Sequence, residues 1–342
     1  MFIYTKQEHT MAYDKPSKLM KMIANLAAAP CPSRKGRTAI RRKIMRVEQR
    51  NAAMQAAQQQ ALLRQYQDLK AQWRTQSDCD KIIPARYDEY DLVFAIGSAC
   101  PTTWILSNFG LRTFSNPFDW SAGHTPRSFY ELPNTWRDTR FIEKVTALCN
   151  DFENFFNYED LTLWCSHSVC DTAQEHQKIL NTRTNIHYMH IFPMNESWER
   201  YFPIAHEKIM QRGRKLISQI DQSRRVLIVW AHRITEHNNV LDAPVDDDNI
   251  RRAVEMLEHR WPNCEFDIVF FEHDGTLQKF KFEKVNVCGG AYRVRSNHFD
   301  WGYEYNNVHP IPNKMHTPPL VMGEMLDNIR LRDNVSFDAS GL

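Results

Sequence analysis

The chain has 342 residues, 42% of them apolar and 12% aromatic, with 11 glycines and a net charge of +2. Such a composition supports at least one full hydrophobic core and excludes fibrous or wholly disordered classes. No stretch nears the roughly 20 apolar residues of a membrane span, and eight scattered cysteines suit reduced thiols better than a disulfide framework.

The first thirty residues lack the basic start and apolar core of a secretory leader, so the expected location is cytoplasmic. Charge is uneven: residues 1–80 carry +9 and the remainder −7. Basic residues crowd into "SRKGRTAIRRKIMRVEQR" (33–50). Coulomb attraction could bring nucleic acid or another anionic partner there, and the plainer reading is a solvated, partly disordered arm. Nothing interrupts a helix from Thr38 to Arg74, and Leu62, Tyr66, Leu69 and Trp73, with Val47, Met54 and Ala61, mark an apolar stripe at coiled-coil spacing. Residues 38–74 are therefore a candidate homodimer seam. "QSDCDKIIPARYDEYD" (76–91) reads as a linker. The expected organisation is a basic, Gln/Ala-rich helical arm (1–80), a catalytic-like α/β domain (81–330) and a short tail (331–342).

Beyond the linker, apolar runs alternate with helical periods. "DLVFAIGS" (91–98), "TNIHYMHIFP" (184–193), "RRVLIVWAH" (224–232) and "EFDIVFFEH" (265–273) read as strands. Residues 195–221 and 246–262 read as helices, and "TLQKFKFEKVNV" (276–287) as an edge strand. Strands apolar throughout and separated by helices predict an α/β fold. Its expected form is three-layered, a mostly parallel sheet flanked by helices, with the N-terminal helical extension outside it. Active sites in such sheets lie at the carboxyl ends of the strands. That rim gathers Cys100, His190, His232 and His273.

Cys100 follows the first strand and precedes Pro101, a residue suited to a first helical turn. A thiol at a helix N-terminus is favoured as thiolate, and the free N–H groups there can receive an oxyanion. Gly97 and Ser98 form the turn, with Ser98 an alternative nucleophile; the bland reading packs Cys100 under the helix. In "PFDW" (117–120), Asp119 sits between large aromatics and needs a histidine, an arginine or backbone amides as partner. It is a candidate to orient a base or to cap a helix beginning near Ser121. Cys165, His167, Cys170 and His176 lack the tight repeated spacing of a zinc site, and "VDDDN" (245–249) reads as a helix start. No phosphate-loop motif is present. Neither a cofactor nor a metal is expected.

The segment "AIGSACPTTWILSNFGLRTFSNPFDWSAG" resembles the opening motif of a bacterial family described as papain-like cysteine peptidases, in which a strand ends in a Gly-containing turn with a Cys, followed by a Leu-Arg step and "PFDW". A His-containing strand ("IHYMHIF") and an Arg-bearing helix (197–216) extend the likeness to about residues 91–300. The resemblance implies Cys100 as nucleophile and His190 as base, with Ile191 where the family tends to place an acidic residue. The "GS-x-C" turn is also similar to the first block of SGNH-type hydrolases, whose histidine comes late in the chain; here His298, beside Asp300, or His309 would serve. Both likenesses imply acyl transfer on a peptide, an ester or an acylated glycan. A non-catalytic binding module is the alternative of a different class.

Overall fold

The computed structural model describes residues 82–97, 100–119, 121–122, 140–165, 176–231, 245–278, 281–297 and 320–332, with isolated positions between 43 and 71. The chain divides into two compact units, residues 1–69 and 70–342. In the first unit the described positions are helical and, Ile44 apart, exposed. Val47 and Met54, part of the apolar stripe, are 52% and 53% exposed.

In the second unit, β1 (Glu89–Tyr90) and β2 (Leu92–Ala95) lead into α1 (Cys100–Asn108). There follow β3 (Ser121–Ala122), α2 (Arg140–Cys149), β4 (Leu161–Cys165), β5 (His176–Asn181) and β6 (Ile186–Pro193). Next come α3 (Trp198–Asp221), β7 (Arg225–Ala231), α4 (Asp247–Arg260) and β8 (Glu265–His273). The last elements are β9 (Phe282–Cys288), β10 (Ala291–Ser296), α5 (Leu320–Asp327) and β11 (Arg330–Leu331). The principal sheet runs β2-β7-β8-β10-β9, with the first four strands parallel and β9 antiparallel on the edge, as its alternating pattern predicts. Both helix starts read from the sequence are capped: Ser197 Oγ accepts from Arg200 N–H, and Asp246 Oδ1 from Asp248 N–H at 2.8 Å.

The fold is mixed α/β with helices flanking the sheets, but the sheets are not uniformly parallel. The run 184–193, expected among the parallel strands, forms β6 of a separate antiparallel sheet ordered β3-β6-β5-β4. The cause is local. β5 and β6 are joined only by the turn Thr182–Asn185, with Asn185 at φ 53°, and so short a link permits an antiparallel hairpin but no crossover.

Leu92, Phe94, Ile96, Val226, Ile228, Trp230, Ile268 and Phe270 join apolar residues of α2, α3, α4 and the antiparallel sheet in one core cluster. The intervening residues Val93, Ala95, Leu227, Val229, Val269 and Phe271 are buried too. Phe141 of α2 wedges between Trp230 and Phe270, its ring 5.7 and 5.0 Å from theirs. Among the described residues no helix is long and apolar enough to cross a membrane.

Residues 82–91 are not a linker. Arg86 and Tyr90 clamp onto the buried Asp267, with Arg86 Nε at 2.6 Å from Oδ1 and Tyr90 Oη at 2.6 Å from Oδ2. The polar residues that suggest a linker are the ones making this clamp. The supposed tail contributes as well, since β11 pairs with β1 in parallel through Leu331.

At the turn joining β9 to β10, a Cβ on Gly290 would drive into the Phe266 carbonyl and lie 2.6 Å from Asp267 Oδ1. Backbone and a clamped carboxylate cannot move aside. Gly290→Ala should therefore destabilise the protein by about 2–3 kcal/mol. The urea midpoint will fall with an unchanged slope.

Candidate active site

Strands β2, β7, β8 and β10 run parallel, so their carboxyl ends face one rim. The turn after β2 opens there. Gly97 is required at this point because an added Cβ would lie 2.9 Å from Thr102 Oγ1, in the first turn of α1. Cys100 is the first residue of α1, with Pro101 second, as expected. The side chain of Cys100, and Ser98 altogether, lie outside the described residues.

Three hydrogen bonds from two side chains hold the end of β2. Asn116 Nδ2 donates to Ala95 O at 3.3 Å, and Lys144 Nζ donates to Ile96 O at 3.2 Å and Gly97 O at 2.7 Å. Lys144 is 1% exposed. Its ammonium lies 5.9 Å from the Phe118 ring centre and 6.0 Å from that of Trp230. Aromatic faces and carbonyl dipoles together replace the water such a charge loses. The sequence carries a signal for Lys144. In "RFIEKVTALC", Phe141, Lys144, Val145 and Leu148 share the stripe i, i+3, i+4, i+7, so the lysine falls on the buried face.

The "LR…PFDW" segment forms a single polar unit. Asn116 Oδ1 accepts from Phe118 N–H at 2.7 Å, while Asn116 N–H donates to Asp119 Oδ2 at 2.9 Å. Asp119, 1% exposed, also accepts from Thr103 Oγ1 at 3.1 Å and from Arg112 Nη2 and Nε at 2.8 and 3.3 Å. Of the partners proposed for it, the arginine and the backbone amide are the ones present. Burial pushes the Asp119 carboxyl up, while Arg112, the Asn116 amide and Thr103 hold it back. The suggested helix cap is not formed, because Ser121 begins β3.

His190 does not lie on the parallel rim. It sits on β6 in a bulge where residues 189–191 face only Lys178, between the pairs Gln177↔Phe192 and Ile179↔Tyr188. β3 brings β6 alongside the motif through Ser121↔Tyr188 and Ala122↔His187. Asp119 and His190 thus both lie two residues beyond the last pair, at the same end of that ladder. The His190 ring is 5.9 Å from that of His176. Burial, then His176 and Lys178, lower its pKa, so the imidazole is neutral at physiological pH.

His273 ends β8 on the rim as expected. Beside it, Glu272 accepts from the buried Arg293 of β10, which also binds Asp247 at 3.1 Å through Nε. His232, His298 and His309 lie outside the described residues, as do His167 and Cys170. Among the described residues no Cys-His-Asp triad is assembled and no three His, Cys, Asp or Glu side chains could hold a metal ion.

Because its folded-state pKa is lowered, His190 resists a proton that the unfolded chain accepts below about pH 6.5. Its contribution to stability is whole above that value and is lost as the pH falls below it. His190→Gln should flatten the acid side of the stability curve, measured by urea unfolding between about pH 7.5 and 5.5. An unchanged slope would show that burial does not penalise the imidazolium. Compared with protein-family models, curated proteins and solved structures, the chain matches none.

Proposed function

We propose that the protein is a cysteine-dependent acyl hydrolase or acyl transferase with Cys100 as nucleophile. The observation that carries this reading is the arrangement of a buried parallel strand, a turn gripped by Lys144 and a helix beginning at Cys100. The first N–H groups of a helix have no intrahelical partner. They stabilise a thiolate, and then the oxyanion that forms when the sulfur attacks a carbonyl carbon. A neutral imidazole takes the thiol proton and returns it to the leaving group.

His190 suits that base role by its lowered pKa and its place at the end of the β3–β6 ladder. Peptides, esters and acylated glycans all present the carbonyl this chemistry needs. Helices against a sheet buried on both faces support the three-layer arrangement. Free thiols at Cys149, Cys264 and Cys288 support a cytoplasmic setting.

Burial pushes the Cys149 and Cys264 thiols up to about 12 and raises that of Cys288. At neutral pH these three therefore remain protonated and slow to react. Iodoacetamide followed by peptide mapping should modify Cys100 first, with a rate that follows a thiolate titrating below the ordinary range. Labelling of Cys100 no faster than Cys149 or Cys264 would sink the proposal. Lys144→Met, which keeps an unbranched apolar stem but cannot donate, should slow the Cys100 reaction about tenfold. It should also cost about 2 kcal/mol by leaving two carbonyls without their donor.

A further inference from the structure

A pocket of about 210 Å³ lies where the end of α2 and the turn after it face the β5–β6 hairpin. Glu143 lines it from α2, Glu153 from the turn, and Arg183 and Thr184 from the hairpin. The fully buried Asn181 braces these walls against each other. Its Nδ2 donates to Phe155 O at 3.4 Å, and its Oδ1 accepts the N–H groups of Arg183 and Thr184, each at 3.0 Å.

The cation of the pocket is already committed, and acceptors are left over. Arg183 Nε donates to Asp160 Oδ2 at 3.1 Å, and Nη2 donates to the Asn154 carbonyl. Glu143 only approaches Arg183, at 4.0 Å, and the Glu153 carboxylate takes no donor among the described residues. Thr184 is 3% exposed, and its buried Oγ1 has no hydrogen-bond partner among the described residues. A hydroxyl withdrawn from water in this way is costly unless a ligand completes it.

We propose that this pocket binds the primary ammonium group of a short aliphatic amine, with Glu143, Glu153 and Thr184 Oγ1 as its acceptors. With Asp160 set against Arg183, the two glutamates leave the pocket negative. The carboxyl end of α2 adds the negative pole of its dipole, so a cation is favoured over a neutral or anionic ligand. An ammonium carries three N–H donors, enough to meet two carboxylates and a hydroxyl at once. The buried Ala147 and Phe155 supply an apolar wall for the methylenes behind it. The site stands apart from the thiol chemistry.

Calorimetric titration and thermal unfolding at constant ionic strength test it, with butylamine as the probe. Butylamine should bind saturably and raise the Tm. Tetramethylammonium, which has the charge but no N–H, should do neither. T184V, which keeps the side-chain shape but removes the hydroxyl, should weaken butylamine binding about fivefold or more. E143Q and E153Q should each weaken it about threefold, being partly exposed. C100A, and E207Q on the exposed face of α3, should bind as the wild type does. Without amine, T184V should be as stable as wild type or more so, since it removes a buried hydroxyl that has no partner. A fall in its amine-free Tm would overturn the proposal, because the hydroxyl would then serve the fold. Absence of butylamine binding, equal effects of tetramethylammonium, or equal binding by T184V and wild type would overturn it as well. Nα-acetyl-lysine methylamide identifies the source: binding as tight as that of butylamine names a lysine side chain, and weaker binding names a free amine.

Discussion

The buried ammonium of Lys144 fixes where the first parallel strand stops and its turn begins. It lies between the faces of Phe118 and Trp230 and spends its donors on the carbonyls of Ile96 and Gly97. Desolvating such a charge costs several kcal/mol, recovered only while both carbonyls stay where they are. The turn therefore has little freedom to shift along the strand. α1 begins from that turn, Thr103 takes its place from α1, and Asp119 takes part of its place from Thr103.

This chain of dependence gives the "LR…PFDW" motif a physical meaning. Arg112, Asn116 and Asp119 close a ring of hydrogen bonds that also reaches Ala95 on β2 and Thr103 on α1. Phe118, between Asn116 and Asp119, packs on Phe152 and Phe155 with ring centres 5.5 and 5.7 Å away. Polar residues brace the turn while the aromatic ties that brace to the core. Phe152 in turn presses on Gly213 of α3, where a Cβ would come within 2.6 Å of its ring. The same contact brings α3 against the residues that pack on the motif. Spacing that looks like a catalytic signature is, among the described atoms, a scaffold for the turn from which α1 begins.

Strands β2, β7 and β8 were legible because each is an unbroken apolar run, and α3 and α4 because each has a cap and a 3.6-residue period. β9 was legible because its polar alternation is what an edge strand shows. The antiparallel sheet was not. β5 buries Gln177, Lys178 and Asn181 along with Ile179, so its burial cannot be read from hydrophobicity. Lys144 is less plain. A cation in a helix is ordinarily a solvated one, and besides its place on the apolar stripe only the rings and carbonyls supplied by distant segments mark it as different. The place of Cys100 at the start of α1 was legible from its strand, glycine and proline alone. His190 was attributed to the wrong sheet, because a turn of four residues decides the pairing and leaves the composition of the strand unchanged.

Both ends of the parallel sheet bury charge. At the amino end, carboxylates are buried and saturated. Asp267 takes Arg86 and Tyr90, while Asp91 takes the N–H groups of Arg224 and Arg225 and the guanidinium of Arg332. These pairings within the chain are how a closed structural joint is built. At the carboxyl end, Glu272 is paired in the same manner with Arg293 and Arg295, and Arg293 reaches Asp247 as well. The turn after β2 is different, because the cation that holds it, Lys144, is met by the neutral carbonyls of Ile96 and Gly97. Arg112 beside it shares Asp119 with Thr103 and Asn116. Charge pairs thus lock the sheet at both ends, while carbonyl dipoles fix the one turn from which α1 departs.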